Sequence, residues 1–383
     1  MSVTAAKGFT AAGIAAGIKE SGDADLALVV NEGPRPAAAG VFTANRVKAA
    51  PVLWSERVLK GGRVSAVVLN SGGANACTGP RGFQDTRATA EKAAEVLGHS
   101  AGEIAVASTG LIGVYLPMDK LLPGIGKAAA ELSAHGGESA ALAIKTTDTV
   151  HKTAVYEGEG WTVGGMAKGA GMLAPGLATM LVVLTTDADL GAPALDAALR
   201  ASTRTTFDRI DSDGCMSTND TVLLLASGAS EVVPDAGEFA EAVRVVCDDL
   251  ARQLIGDAEG ASKDIRIEVV GAASEDDAVE VGRSLARNNL LKCAIHGEDP
   301  NWGRVLSAIG TTSAVFDPDR LNVAINDVWV CRNGSIGADR DLVDMRGREV
   351  RITADLAAGG ETAVIWANDL TAEYVHENSA YSS

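Results

Sequence analysis

Apolar positions in this chain fall into short continuous runs and longer stretches at helical spacing, and the two kinds alternate. Residues 64–70, 104–107, 179–186 and 221–226 are mostly apolar stretches and predict strands, the last two the clearest buried ones. The first ends in a polar, glycine-rich turn, Asn70-Ser-Gly-Gly-Ala-Asn-Ala-Cys77. The second runs into Ser108-Thr109-Gly110. Residues 86–97 and 239–255 place alanines and larger apolar side chains at helical spacing, and 276–291 reads as a further helix. A loop over 256–263 leads to a half-buried strand at 265–270. Beyond roughly residue 285 the pattern changes to short strands and polar turns, including 322–330 and 362–367, which predicts a smaller C-terminal lobe over 285–383. No short-period repeat and no Pro/Ser-rich linker interrupts the chain. The expected class is α/β.

Composition narrows the function. A chain of 383 residues can bury a large core and suggests two or three lobes. A net charge of −17 argues against nucleic acid and anionic membrane surfaces as partners. Cys77, Cys215, Cys247, Cys293 and Cys331 are odd in number and contain no Cys-x-x-Cys pair. They read as reduced, mostly buried thiols rather than a disulfide framework or zinc site. The five histidines are scattered and His-Glu-x-x-His is absent, so no metal is expected. No apolar stretch is long enough to span a bilayer, and the first residues lack a charged segment followed by an apolar core. A cytoplasmic location is expected.

The most informative stretch is Gly164-Gly-Met-Ala-Lys168-Gly-Ala-Gly-Met-Leu-Ala-Pro-Gly-Leu-Ala178-Thr179. It reads as a flexible glycine-rich loop carrying one cation and one proline, ending where a buried strand begins. A threonine there can attack the carbonyl of Ala178 if the loop strains that peptide. The cut would leave Thr179 as a new N-terminus, whose free amine can act as base for its own hydroxyl. A freed α-amine has a pKa of about 7.7–8.0, suited to that work. On spacing alone an ordinary loop before a strand explains the same residues. A phosphate-binding loop is unsupported, since Gly-x-x-x-x-Gly-Lys-[Ser/Thr] is missing.

The string from Gly164 through Leu181 closely resembles the self-processing segment of the ornithine acetyltransferase family, the bifunctional acyltransferases of arginine biosynthesis. Matching segments follow in the same order along nearly the whole chain. The resemblance implies a layered α-β-β-α architecture and cleavage between Ala178 and Thr179. An alpha piece, 1–178, and a beta piece, 179–383, would stay together, with two or more such pairs assembling. It implies acetyl transfer from N-acetylornithine to glutamate through Thr179, with no cofactor, and acetyl-CoA as a further donor in many members.

Site residues carry over one by one. Thr109 and Gly110, in Ala107-Ser-Thr-Gly-Leu-Ile-Gly113, match the family's oxyanion hole; unaided, they are a turn. Lys168 matches a substrate-binding cation, against a reading as one more surface lysine. Thr146, in Thr146-Thr-Asp-Thr149, matches a substrate contact, though Val150-His151 departs from the family pattern. Glu259 matches a pocket carboxylate suited to an ammonium group. Asn378 and Ser383 match the C-terminal Asn and Thr, with serine replacing threonine. Two polar segments, 207–220 and 296–304, resemble family hallmarks and read as structural. Rival readings keep the fold but hydrolyse the acyl-enzyme, as the related self-processing aminopeptidases do, or lose the chemistry in an uncut binding protein. A secondary-metabolism paralogue with another amine preference is a further reading.

Overall fold

In the computed structural model, residues 2–174 and 180–380 are described. The positions assigned to Ala178, Thr179 and Ser383 therefore lie outside the described residues. The chain divides into two compact units, one of residues 2–208 and 215–257, the other of 209–214 and 258–380. The larger stretch of the second unit begins at Ala258.

The first unit is built on two sheets. Strands β1 (Phe9–Ile14), β2 (Leu26–Asn31), β4 (Ala66–Asn70) and β5 (Ile104–Ser108) form one, in the order β1-β2-β4-β5. Strands β3 (Ala37–Phe42), β6 (Lys152–Glu157), β7 (Thr162–Lys168), β8 (Leu181–Thr186) and β9 (Thr221–Ala226) form the other, in the order β3-β9-β8-β7-β6. β8 and β9 run parallel and every residue of both is buried, which is why their sequences are continuous rather than alternating.

Alternation inside each strand sends side chains to two different layers. Ala27, Val29, Val67, Leu69, Ala105 and Ala107 share one core with Met166, Leu181, Val183, Leu223 and Leu225 of the other sheet, so the sheets face each other. The opposite neighbours in the first sheet, Leu28, Val68 and Val106 among them, pack on α2 (Gly79–Leu97) and α3 (Met118–Ala130). The outer face of the second sheet carries α5 (Ala192–Thr205) and α6 (Ala236–Gly256). The order is α-β-β-α, as expected. Helices α1 (Ala50–Leu59) and α4 (Gly137–Ala143) supply further side chains to the shared core. Each buried Leu or Val contributes about 1.5–3 kcal/mol of gross transfer energy.

Local signals explain the helix limits. Asp235 caps α6 by accepting from Gly237 N at 2.8 Å and Glu238 N at 3.2 Å. Gly98 ends α2 in a left-handed conformation, φ +73°.

In the second unit β10 (Asp264–Ala272), β11 (Asn322–Ile325), β12 (Val328–Arg332), β13 (Ser335–Ile336), β14 (Glu349–Asp355) and β15 (Glu361–Asn368) form a mixed sheet, ordered β13-β12-β11-β14-β10-β15. Helices α7 (Glu275–Ala286), α8 (Asn289–His296) and α9 (Trp302–Ile309) bury their apolar stripes in its core, and α10 (Ala372–Ala380) closes the described chain.

Four expectations change. Gly164 to Lys168 belongs to strand β7, not to a flexible loop. A Cβ at Gly164 would lie 2.3 Å from the carbonyl oxygen of Ser2, so glycine there admits the N-terminal backbone rather than bending the chain. The helix expected over 276–291 breaks into α7 and α8, because Asn288 accepts from Leu291 N and starts a new helix. The strand expected over 322–330 is a hairpin, turning at Asn326 and Asp327 with φ +45° and +67°. Cys77, Cys215 and Cys293 are exposed, and only Cys247 and Cys331 are buried.

Candidate functional site

Strand register gathers the candidate residues of the first unit. Lys168, the last residue of β7, pairs with Leu181, the first of β8, which pairs with Thr221, the first of β9. In the facing sheet Asn70 and Ser108 are paired as the last residues of β4 and β5. Asn219 joins these two sheet ends: its Nδ2 donates to Ser108 O at 2.7 Å and to Ala74 O at 2.6 Å.

Thr109 and Gly110 leave β5 at this end. Thr109 N donates to Asn70 O at 2.9 Å, and Thr109 O accepts from Gly73 N at 3.0 Å. Gly110 adopts φ +130°, and a Cβ there would sit 2.7 Å from Gly73 N. Only glycine lets the chain turn against residues 72–73. With the Thr109 N–H engaged, the donors this turn can offer a ligand oxygen are the Thr109 hydroxyl and the Gly110 N–H, which bonds to no other group among the described residues.

Lys168 is 2 % exposed, so it is a buried cation and not a surface one. Its ammonium donates to Thr109 Oγ1 at 3.4 Å and lies 3.9 Å from Asp148 Oδ2. Thr146 enters through its backbone: Thr146 N donates to Asp148 Oδ2 at 3.0 Å. Thr109, Gly110, Lys168 and Thr146 are therefore one neighbourhood, with Asp148 between two of them.

The electrostatics follow from burial. Asp148 is desolvated, which alone would raise its pKa. Lys168, Lys152 and a hydrogen bond from Gly169 N outweigh that and hold it at about 2. Lys152, fully buried, donates to Asp148 Oδ1 at 2.7 Å and Asp257 Oδ2 at 2.6 Å. Lys19 is half-buried, and desolvation lowers its pKa against the pull of Asp25; its ammonium donates to Lys145 O at 2.7 Å. Asp220 is wholly buried and accepts from Met180 N at 3.1 Å. Desolvation raises its pKa well above the usual value, opposed by Met180 N and Lys168.

Glu259 and Asn378 belong to the second unit. The loop after α6 is held to α10 by Thr371, whose hydroxyl donates to Gly260 O at 2.6 Å and accepts from Tyr374 N at 2.8 Å. Asn378 Nδ2 donates to Tyr374 O at 3.0 Å, one turn along α10. Burial pushes the Tyr374 phenol up, helped by Asp213, which it hydrogen-bonds, and by Glu259. Burial also raises Glu377, with Glu259 and Glu373 adding to it. Glu259 thus sits in acidic surroundings that favour a cationic group. Among the described residues no cluster of three His, Cys, Asp or Glu has metal-holding geometry.

Sequence reasoning missed Asp148, Lys152, Asn219, Asp220 and Tyr374. Asp148 stood inside the Thr-Thr-Asp-Thr string, and Asn219 and Asp220 inside the polar segment 207–220. Their density of polar residues beside a buried strand was the available signal. Lys152 and Tyr374 had none.

The profile of the ArgJ family matches residues 10–383. The Streptomyces avermitilis "arginine biosynthesis bifunctional protein ArgJ" is 82 % identical over 383 residues, covering 100 % of both chains. The Thermobifida fusca protein of the same name is 64 % identical, again over the full length of both. A solved structure of the Mycobacterium tuberculosis ornithine acetyltransferase complexed with ornithine is 60 % identical. It covers 47 % of this chain and 96 % of that one, with a TM-score of 0.45.

Proposed function

The chain belongs to the ArgJ family, and from that premise we propose that it cuts itself and then passes the acetyl group of N-acetylornithine to glutamate through Thr179. It is a bifunctional enzyme of arginine biosynthesis, an acyltransferase. The observation that supports this mechanism best is the contact of a buried ammonium, Lys168, with the Thr109 hydroxyl at the strand end beside Met180.

The precursor is cut between Ala178 and Thr179 into pieces 1–178 and 179–383. The Thr179 hydroxyl adds to the acetyl carbonyl and gives its proton to the Thr179 amine. Negative charge on the carbonyl oxygen is met by the Thr109 hydroxyl and the Gly110 N–H. Ornithine leaves with the proton. The amine of glutamate then attacks the ester and passes a proton by way of the Thr179 amine to Thr179 Oγ, whose bond to the acetyl carbon breaks to release N-acetylglutamate. Lys168 and Thr146 bind substrate polar groups; Glu259, Asn378 and Ser383 complete the binding set, with Glu259 taking an ammonium. No resident cofactor is needed, because the acyl group passes directly between nitrogen and oxygen. The two pieces remain paired, two or more pairs assemble, and the enzyme works in the cytoplasm. No helix among the described residues is long and apolar enough to cross a membrane.

Intact mass, recorded before and after N-acetylornithine is added without glutamate, tests the proposal. Two pieces meeting at 178/179, with one acetyl group on the second, are expected. An uncut chain that never holds the acetyl group contradicts the mechanism, and cut pieces that never hold it turn the reading toward hydrolysis. Thr109→Ala is expected to lower kcat about 10²–10³-fold, the usual loss for one oxyanion donor. A loss below about three-fold in steady-state kinetics would remove Thr109 from that role.

A further inference from the structure

Asp148 has no part in the mechanism above, yet its carboxylate is wholly buried and reaches both proposed substrate-binding residues of the first unit. One oxygen accepts from Thr146 N at 3.0 Å and lies 3.9 Å from the Lys168 ammonium. The other accepts from Gly169 N at 2.6 Å, the residue that follows Lys168, and from Lys152 at 2.7 Å. Lys152 is bound in turn by Asp257, which also accepts from Thr149 N at 3.1 Å and from the Thr149 hydroxyl. A buried chain of alternating charge thus runs from Lys168 through Asp148 and Lys152 to Asp257, at the C-terminal end of α6.

We infer that Asp148 is a positioning residue for substrate binding: it sets Thr146 and Lys168 in one geometry and keeps Lys168 charged. The inference rests on the proposed acetyl transfer for its consequence, but not for its geometry. A buried ammonium loses its hydration and tends to shed its proton unless a carboxylate faces it. Asp148 lies in ion-pair range of Lys168. Asp220 is wholly buried, and desolvation raises its pKa well above the usual value. Lys19 is a like charge, itself balanced by Asp25 and Asp23. Lys152 is a second like charge behind Asp148, held there by Asp257. Removing the Asp148 charge takes away the carboxylate that lies between the Lys168 and Lys152 ammonium groups.

Asp148→Asn keeps the shape and one of the two acceptor oxygens while deleting the charge. A pH titration of the lysine ammonium signals by nitrogen NMR, with Lys168 assigned through Lys168→Met, reads the proposal without any need for turnover. The pH at which Lys168 loses its proton is expected to fall by about 1–3 units in Asp148→Asn. In steady-state assays kcat/KM is expected to drop about 10–100-fold, carried mainly by KM, with its basic limb moved the same way. In a Lys168→Met background the same change should cost clearly less than it does alone, the remainder being its effect on Thr146. Asp148→Glu, which retains the charge one methylene further out, should keep the Lys168 titration and lose part of kcat/KM. It serves as the test variant should the Asn form not fold. An unchanged Lys168 titration in Asp148→Asn, or a full additional loss in the Lys168→Met background, overturns the inference. Absence of acetyl transfer in the parent enzyme would instead count against the proposed function, leaving the titration to decide on Asp148.

Discussion

Thr179→Ala is expected to yield a single uncut chain of 383 residues with no acetyl transfer above background. Deleting the nucleophile of a covalent mechanism costs as much as about 10⁶-fold in kcat, because no other group enters the same sequence of steps. The change removes two things at once, the hydroxyl that cuts the chain and the hydroxyl that carries the acetyl group. Thr179→Ser separates them from mere loss of fold. It keeps an oxygen nucleophile and should still be cut and acetylated, more slowly. The strand start next to the substitution is held through the backbone of Met180. Met180 N is held by Asp220, and Thr221 N donates to Met180 O at 3.1 Å, so the variant should fold with a melting temperature near that of the parent. Intact mass and acetyl transfer are the measurements. A Thr179→Ala protein that is still cut at 178/179, or still turns over, would remove Thr179 from both roles.

Much of the scaffold was legible because burial on both faces leaves a continuous apolar run, and 221–226 matched β9 residue for residue. The amphipathic stripe at 239–255 likewise marked α6, which extends only a few residues further. The string 164–168 misled for a physical reason. Glycine is ambiguous between freedom and close approach, and the partner that decides, Ser2 O, lies 162 positions away in the sequence. The site divides in the same manner. Thr109, Gly110, Lys168 and Thr146 were each marked by a motif; Thr109 and Gly110 follow the end of β5, Lys168 ends β7, and Thr146 joins them through Asp148. Their supports were not legible. Nothing local says that Asn219 spans from the start of β9 to Ser108 O, or that Lys152 is buried between two carboxylates. Those are through-space facts, created only once the two sheets face each other.

Lys152→Ala is expected to destabilise the first unit by about 3–5 kcal/mol, because it strands Asp148 and Asp257 without their shared cation. The side chain is fully buried, so neither water nor salt screens the loss. In a unit of this size that corresponds to a melting temperature lower by roughly 10 °C. The exposed pair Arg200–Asp196, with side chains 61 % and 45 % exposed, is the natural contrast: Arg200→Ala should cost under about 1 kcal/mol. Acid sensitivity should change as well, and its sign is fixed. Asp148 is desolvated, but Lys168 and Lys152 more than compensate, so its folded pKa of about 2 lies below the ordinary 3.8. A depressed carboxylate adds stability that is complete above about pH 4 and is lost as pH falls through about 2, amounting to about 2 kcal/mol here. Without Lys152 the same carboxyl titrates higher, so the acid limb of unfolding moves to higher pH. Calorimetric melts of both variants between pH 2 and 7 give both quantities. A Lys152→Ala protein that melts no earlier than Arg200→Ala, with an unmoved acid limb, would mean that the buried chain of charges contributes no more than an exposed pair.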